Sequence, residues 1–219
     1  MGRGYSLDHN PAVKIPSLEQ GDGEGWKPWE PEAIQVAMSD FEGIARTAFY
    51  LAYFTGQRNS DIRKMKWTDI AGDGIHVVQD KTGKEVWVPL HPDLQAELAI
   101  TERRGETIIA AERLQSDGLP NRTAGQALSK RALDSYCKVQ RRVLGLSGDN
   151  HENTLHGLRK NATINLLEAG CTNSEAKAIT GHSTGQMVNH YAQKLNQRGQ
   201  ARAAMDKVVQ FDKGASENG

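Results

Sequence analysis

Residues 74–90 read GIHVVQDKTGKEVWVPL. Two short runs, GIHVVQD and KEVWVPL, are rich in β-branched and aromatic residues and are separated by KTG, which predicts a β-hairpin with Gly83 in the turn. The sequence on either side has the longer apolar period of helices. That contrast decides the fold class. It is α+β and mostly helical, with a small antiparallel β-sheet inserted after the first helices.

Upstream, Pro31 between Glu30 and Glu32 predicts a helix start, with helices over about 31–39 and about 43–54 (GIARTAFYLAYF). Thr55-Gly56 breaks the pattern. Asn59 or Ser60 is expected to cap a short helix carrying Ile62 and Met65 on one face. Downstream, PDLQAELAI (residues 92–100) reads as helix, and ETIIA (residues 106–110) as a short strand or buried coil. Residues 126–144 predict an amphipathic helix. Another runs over about 156–169 and stops at Gly170. TNSEAKAIT is a short capped helix ending at Gly181, and helices at about 185–194 and 197–210 follow. Residues 1–29, rich in glycine, proline and charge, read as an extended arm.

The chain has 219 residues, enough for one substantial core, with 37% hydrophobic and 25% charged residues, as in a soluble globular protein. No apolar run approaches a membrane span, and the N-terminus lacks the apolar core of a secretory signal. Cys137 and Cys171 form no CxxC pair and read as packed thiols of a reduced, cytoplasmic protein. Formal net charge is zero but unevenly spread, with eight acids against three bases in residues 1–42 and 24 bases against 19 acids in the rest. Basic clusters recur at Arg63-Lys64-Lys66, Lys138-Arg141-Arg142 and Arg159-Lys160, which favours a polyanion on one surface.

Gly181-His-Ser183-Thr-Gly185 matches the G-x-S-x-G pattern of a hydrolase elbow, but that elbow needs a strand before the serine. SEAKAITG before it is helical, and the acids and histidine that follow come in the wrong order. The histidines 151, 156, 182 and 190 lack the HExxH arrangement, so no metal is expected.

A different set stands at the ends of the expected elements: Arg58, Lys81, His156, Arg159, His182 and Tyr191. Each alone has an ordinary structural explanation: an ion pair with Asp61 for Arg58, solvation for Lys81 (with Lys84 as its rival), packing for Tyr191. Together they comprise two guanidinium groups, an ammonium, two imidazoles and a phenol. Such a set suits binding a phosphodiester and attacking it without a metal ion or other cofactor, the guanidinium groups stabilising charge on phosphorus and the phenol supplying covalent catalysis.

At these residues the sequence resembles the tyrosine recombinase (phage integrase) family. The matching boxes are TGQRNSDIRKMKWTDI, QDKTGKEVWVPLHPDL, LHGLRKNATINLLEAGC and AITGHSTGQMVNHYAQ, over about residues 28 to 205. The resemblance implies that Arg58 and Arg159 clamp the scissile phosphate and His182 bonds a non-bridging oxygen. It implies that His156 assists proton transfer, Lys81 protonates the leaving 5′-oxygen, and Tyr191 forms a 3′-phosphotyrosyl intermediate. Asp61 would orient Arg58. It further implies site-specific recombination (integration or excision) on double-stranded DNA as a homo-tetramer, in the cytoplasm of a bacterial or phage-derived system. Without DNA, a monomer and an assembly are equally open, and no membrane is involved. The expected organisation is an interdomain linker at 1–29, a catalytic domain at 30–212 and a disordered tail at 213–219. The family's N-terminal core-binding domain is absent, so a catalytic fragment is expected. A non-catalytic DNA-binding module of the same fold and a type IB topoisomerase-like activity are the alternatives.

Overall fold

The computed structural model describes residues 26–113, 118, 121–146, 152–182 and the isolated positions 188, 201, 202, 205 and 208. Its elements run α1 (Pro31–Asp40), α2 (Gly43–Thr55), α3 (Asn59–Ile62), a 3-10 turn (Trp67–Asp69), β1 (Ile70–Ala71), β2 (Gly74–Val78), β3 (Glu85–Pro89), α4 (Pro92–Ile100), α5 (Lys130–Val143), α6 (Leu155–Glu168) and α7 (Asn173–Thr180). The fold class expected from the hairpin and its flanks is the one observed. The predicted helices at about 185–194 and 197–210 lie outside the described residues apart from isolated positions.

α2 is apolar almost all round, burying Ile44, Ala45, Ala48, Phe49, Tyr50, Leu51 and Ala52. Such a helix has no face for water and takes the centre of the fold. It packs against α1, α4, α5 and α6. It ends at Gly56 in the left-handed conformation, φ 64°. A Cβ on Gly56 would lie 3.0 Å from Thr180 Cγ2 and 3.2 Å from Ala162 Cβ. The turn leading to Arg58 is therefore wedged between α6 and α7.

The sheet is antiparallel in the order β1-β2-β3. Ile75 pairs with Val88 and Val77 with Val86, and all four are buried. The intervening pair, His76 and Trp87, is exposed, as the two-residue period requires. Gly83, at φ 63°, donates its backbone N–H to Gln79 O at 2.8 Å and closes the turn. β1, too short to read from sequence, adds the third strand.

Three local expectations shift. The position capping α3 is Arg58, one residue before Asn59, and Met65 is buried beyond the end of that helix. α5 starts at Lys130 instead of residue 126. Gln126 O accepts from Ala111 N, Ala127 bridges Ala110, and Ser129 caps the helix by accepting from Ala132 N. Within the segment 106–110, Glu106 is exposed and residues 107–110 are buried coil, with isolated bridges at Thr107 and Ala110.

Trp29, which composition alone assigns to the arm, is 4% exposed in the core. Its backbone N–H donates to Asn161 Oδ1 at 2.8 Å, Asn161 Nδ2 donates to its carbonyl at 2.9 Å, and its indole donates to Thr154 O at 2.8 Å. These bonds bolt the entry of the chain to α6.

Candidate active site

The core just described brings three segments together: the α2–α3 corner, the tip of the β2–β3 hairpin, and the facing ends of α6 and α7. Arg58 stands at the corner. Its backbone N–H donates to Asp61 Oδ2 at 3.3 Å, and its guanidinium Nη1 lies 3.8 Å from that same oxygen. The Asp61 side chain is fully buried. Its other oxygen accepts from the Asp80 backbone N–H at 2.9 Å and from Ser60 Oγ at 3.1 Å. One carboxylate thus orients Arg58 and also ties the corner to the hairpin tip, one residue from Lys81.

Arg159, on the second turn of α6, is only 2% exposed. Its Nη1 donates to Gly56 O at 2.6 Å, while Nη2 has no hydrogen-bond partner among the described residues. Burial and the Arg58 charge push this guanidinium down to about 9, with Asp61 acting in the opposite sense. It is still charged at neutral pH, and among the described residues no carboxylate forms an ion pair with it.

His156 sits one turn earlier on α6, with its ring 6.0 Å from that of Trp26. Burial, then the charges of Arg159, Lys160, Arg58 and Lys81, lower its imidazole to about 4. His182 directly follows Gly181, whose φ of 69° ends α7. Burial, then Arg159, Arg58, His156 and Lys84, lower His182 to about 4 as well. Both rings are neutral at physiological pH in the unliganded site.

His182 Nδ1 lies 2.7 Å from Thr180 Oγ1, and that hydroxyl donates to Ala176 O at 2.7 Å. A hydroxyl has one proton to give. The bond to His182 therefore runs from Nδ1–H to Thr180 Oγ1, which leaves Nε2 as the free lone pair of the neutral ring.

Arg58, His156, Arg159 and His182 accordingly form one electrostatically coupled cluster. Lys81 is exposed in the hairpin turn at its edge, and its charge acts on His156 while that of Lys84 acts on His182. Tyr191, Ser183 and His190 lie outside the described residues. A groove of about 400 Å³ opens beside the cluster, lined by Trp26, Arg58, Arg63, Lys130, Arg141 and His156 among others. Cys137 also lines it, but burial pushes that thiol up to about 12, so it is inert packing.

Two buried glutamines belong to the site and were missed by motif reasoning. Gln79 is 0% exposed and accepts from Arg58 Nη1 at 3.4 Å, and Gln57, also 0% exposed, is hydrogen-bonded to it. A signal for Gln79 was present in the sequence. Counting inward positions of β2 by twos from Ile75 through Val77 lands on residue 79, so a polar side chain there must be buried and bonded.

Among the described residues no group of three or more His, Cys, Asp or Glu side chains is placed to hold a metal ion, and no helix is long and apolar enough to cross a membrane. Two guanidinium groups, one of them with a donor left without a partner among the described residues, two neutral imidazoles and an ammonium at the rim are chemically suited to a tetrahedral oxyanion.

The model of the "Phage integrase family" matches residues 32–198, a span that includes all seven candidate positions. The integrase of Escherichia phage lambda is 31% identical over 156 residues, covering 67% of this chain and 40% of that protein. The chain thus spans about two fifths of the length of that curated relative. A structure of the lambda integrase catalytic core superposes with TM-score 0.55 at 27% identity, over 71% of this chain and 91% of that one. A lambda integrase tetramer bound to a Holliday junction gives TM-score 0.59 at 28% identity, over 75% of this chain and 47% of the other.

Proposed function

The chain belongs to the phage integrase family, and from that premise we propose that residues 30–212 form the catalytic domain of a site-specific recombinase that cuts and rejoins double-stranded DNA. The observation that carries the reading is Arg159. Its guanidinium is buried at real cost, beside the like charge of Arg58, with Nη2 unpartnered among the described residues. A non-bridging phosphate oxygen satisfies that donor and offsets both charges.

In this mechanism Arg58 and Arg159 hold the scissile phosphate. The Tyr191 phenol oxygen bonds to phosphorus as the bond to the 5′-oxygen breaks. The phenol proton passes to His156, whose neutral ring is the state that accepts it. The 5′-oxygen takes a proton from Lys81. Charge building on the phosphoryl oxygens raises His182 from about 4, so that Nε2 takes a proton from solvent and donates it in a hydrogen bond to a non-bridging oxygen, while Nδ1–H stays bonded to Thr180. The 5′-hydroxyl of a second strand then reverses each step and completes exchange. The lambda integrase tetramer on a Holliday junction supports assembly on DNA as a tetramer. The substrate puts this work in the compartment that holds bacterial or phage DNA.

The test is covalent capture. Nicked duplexes with a randomised core are incubated with the chain and resolved on a denaturing gel. The 3′-phosphotyrosyl adduct forms with the wild type and is absent with Tyr191→Phe. A randomised pool that yields no adduct leaves a DNA-binding module without strand cleavage. An adduct that survives the substitution places the nucleophile elsewhere.

A further inference from the structure

We propose that Gln79 is a positioning residue, whose single amide sets Arg58, the hairpin turn and the backbone before His182 relative to one bound phosphate. The inference rests on the phosphodiester reading above, because it concerns where that phosphate's ligands stand.

Gln79 uses its full hydrogen-bonding capacity. Oε1 accepts from Arg58 Nη1 at 3.4 Å and from Thr82 Oγ1 at 3.1 Å. Nε2 donates to Thr180 O at 2.9 Å and to Gln57 Oε1 at 2.7 Å. Gln57 Nε2 in turn donates to Ile179 O at 2.9 Å and Thr55 O at 3.1 Å. The last carbonyls of a helix lack intrahelical partners, and here two amides from distant segments take those of α7. A Cβ at Gly181 would overlap the Gln79 amide, 2.2 Å from its Nε2. His182 leaves the helix from this contact.

The neutrality of the amide matters. Asp61 already places one carboxylate 3.8 Å from Arg58 Nη1, and the Gln79 amide orients the guanidinium without adding a second. A carboxylate at residue 79 loses both donated bonds, faces Thr180 O and Gln57 Oε1 with like partial charge, and captures Arg58 as an ion pair. An apolar side chain keeps the volume and loses the alignment. Gln57 is the built-in control, since it touches the same end of α7 with no bond to Arg58 among the described residues.

Three variants separate positioning from plain stability: Gln79→Met, Gln79→Glu and Gln57→Met. Each is measured for thermal unfolding, for affinity to intact duplex DNA, for single-turnover adduct formation on the captured nicked duplex, and for the shift of the His182 imidazole resonance on adding inorganic phosphate. Misplacing a phosphate ligand by about 1 Å costs up to roughly a hundredfold in rate. Gln79→Met is therefore expected to form adduct at least about tenfold slower, with DNA affinity within about threefold of wild type and the His182 response to phosphate weakened. Gln79→Glu is slower still. Gln57→Met loses comparable thermal stability with a smaller loss of rate.

Rates and phosphate response unchanged in both Gln79 variants overturn the proposal. So does a rate loss that follows unfolding temperature equally across all three variants with the His182 response intact. So does a wild-type His182 that ignores phosphate. A wild type that makes no adduct, yet shows a His182 response that Gln79→Met abolishes, sinks the recombinase chemistry and upholds the positioning role.

Discussion

Thr180 Oγ1 lies 2.7 Å from His182 Nδ1 and gives its own proton to Ala176 O. The proton between Thr180 and His182 therefore belongs to the histidine. Through Thr180 the last turn of α7 dictates the tautomer of a ring outside the helix, and hence whether that ring meets an anion as acceptor or donor. Neutral His182 presents a lone pair at Nε2. Only the imidazolium presents a proton there without breaking the bond to Thr180.

The tautomer is directly measurable. Nitrogen-15 chemical shifts of the wild type at neutral pH should show His182 protonated at Nδ1. Thr180→Val removes the acceptor, and the ring should then populate the Nε2–H form, with a stability loss of about 1 kcal/mol from the missing hydrogen bond. A wild-type spectrum showing Nε2–H contradicts the assignment.

Both site histidines should titrate near 4 in the free protein, against an ordinary value of 6.5. Between those values the unfolded chain binds more protons than the folded one, so stability rises with pH across the window. It is lost as pH falls from about 6.5 towards 4 and changes little from this source below that. Urea midpoints at roughly pH 4.5 and pH 7.5 should differ more for the wild type than for a variant carrying His156→Gln and His182→Gln. Imidazole resonances titrating at the ordinary value would remove the basis for this prediction.

Arg159→Met should separate stability from activity. The substitution removes a buried charge that burial and Arg58 disfavour, at the expense of one bond to Gly56 O. Folding stability should be unchanged or raised by on the order of 1 kcal/mol, while adduct formation falls by about a hundredfold or more. Chemical denaturation and single-turnover kinetics read the two effects independently. A variant that is badly destabilised yet still forms adduct would show that Arg159 is a structural residue.

Gly181→Ala should damage fold and site together. Its φ of 69° disfavours an L side chain, and a Cβ there overlaps the Gln79 amide. Strain of this kind costs on the order of 1–3 kcal/mol, and relieving it pushes Gln79 off Thr180 O and Arg58. A lowered unfolding temperature with a rate loss beyond that of Gln57→Met is expected. Unaltered kinetics would mean the backbone before His182 can shift freely.

Much of this was legible in the chain. The alternation of residues 74–90 marks the hairpin because strand side chains alternate faces whatever lies around them. Thr172 with Glu175, and Gly181 after Thr180, mark both ends of α7 because caps depend on residues a few positions apart. The start of α5 was misread because Gln126 and Ala127 are taken by backbone partners at 110 and 111, and no local pattern carries that information.

By itself the sequence determined most of the described elements, the family boxes and the residue types at element ends, since these follow from local periodicity and short spacings. Tertiary structure alone decided what those side chains do to each other. Arg159 meets the Gly56 carbonyl 103 positions away, and Gln79 meets Thr180 across 101. Only packing around α2 brings such pairs within hydrogen-bond reach. Only burial makes the meeting matter, because away from water an unshared proton or an unneutralised charge has to find a partner or wait for a ligand.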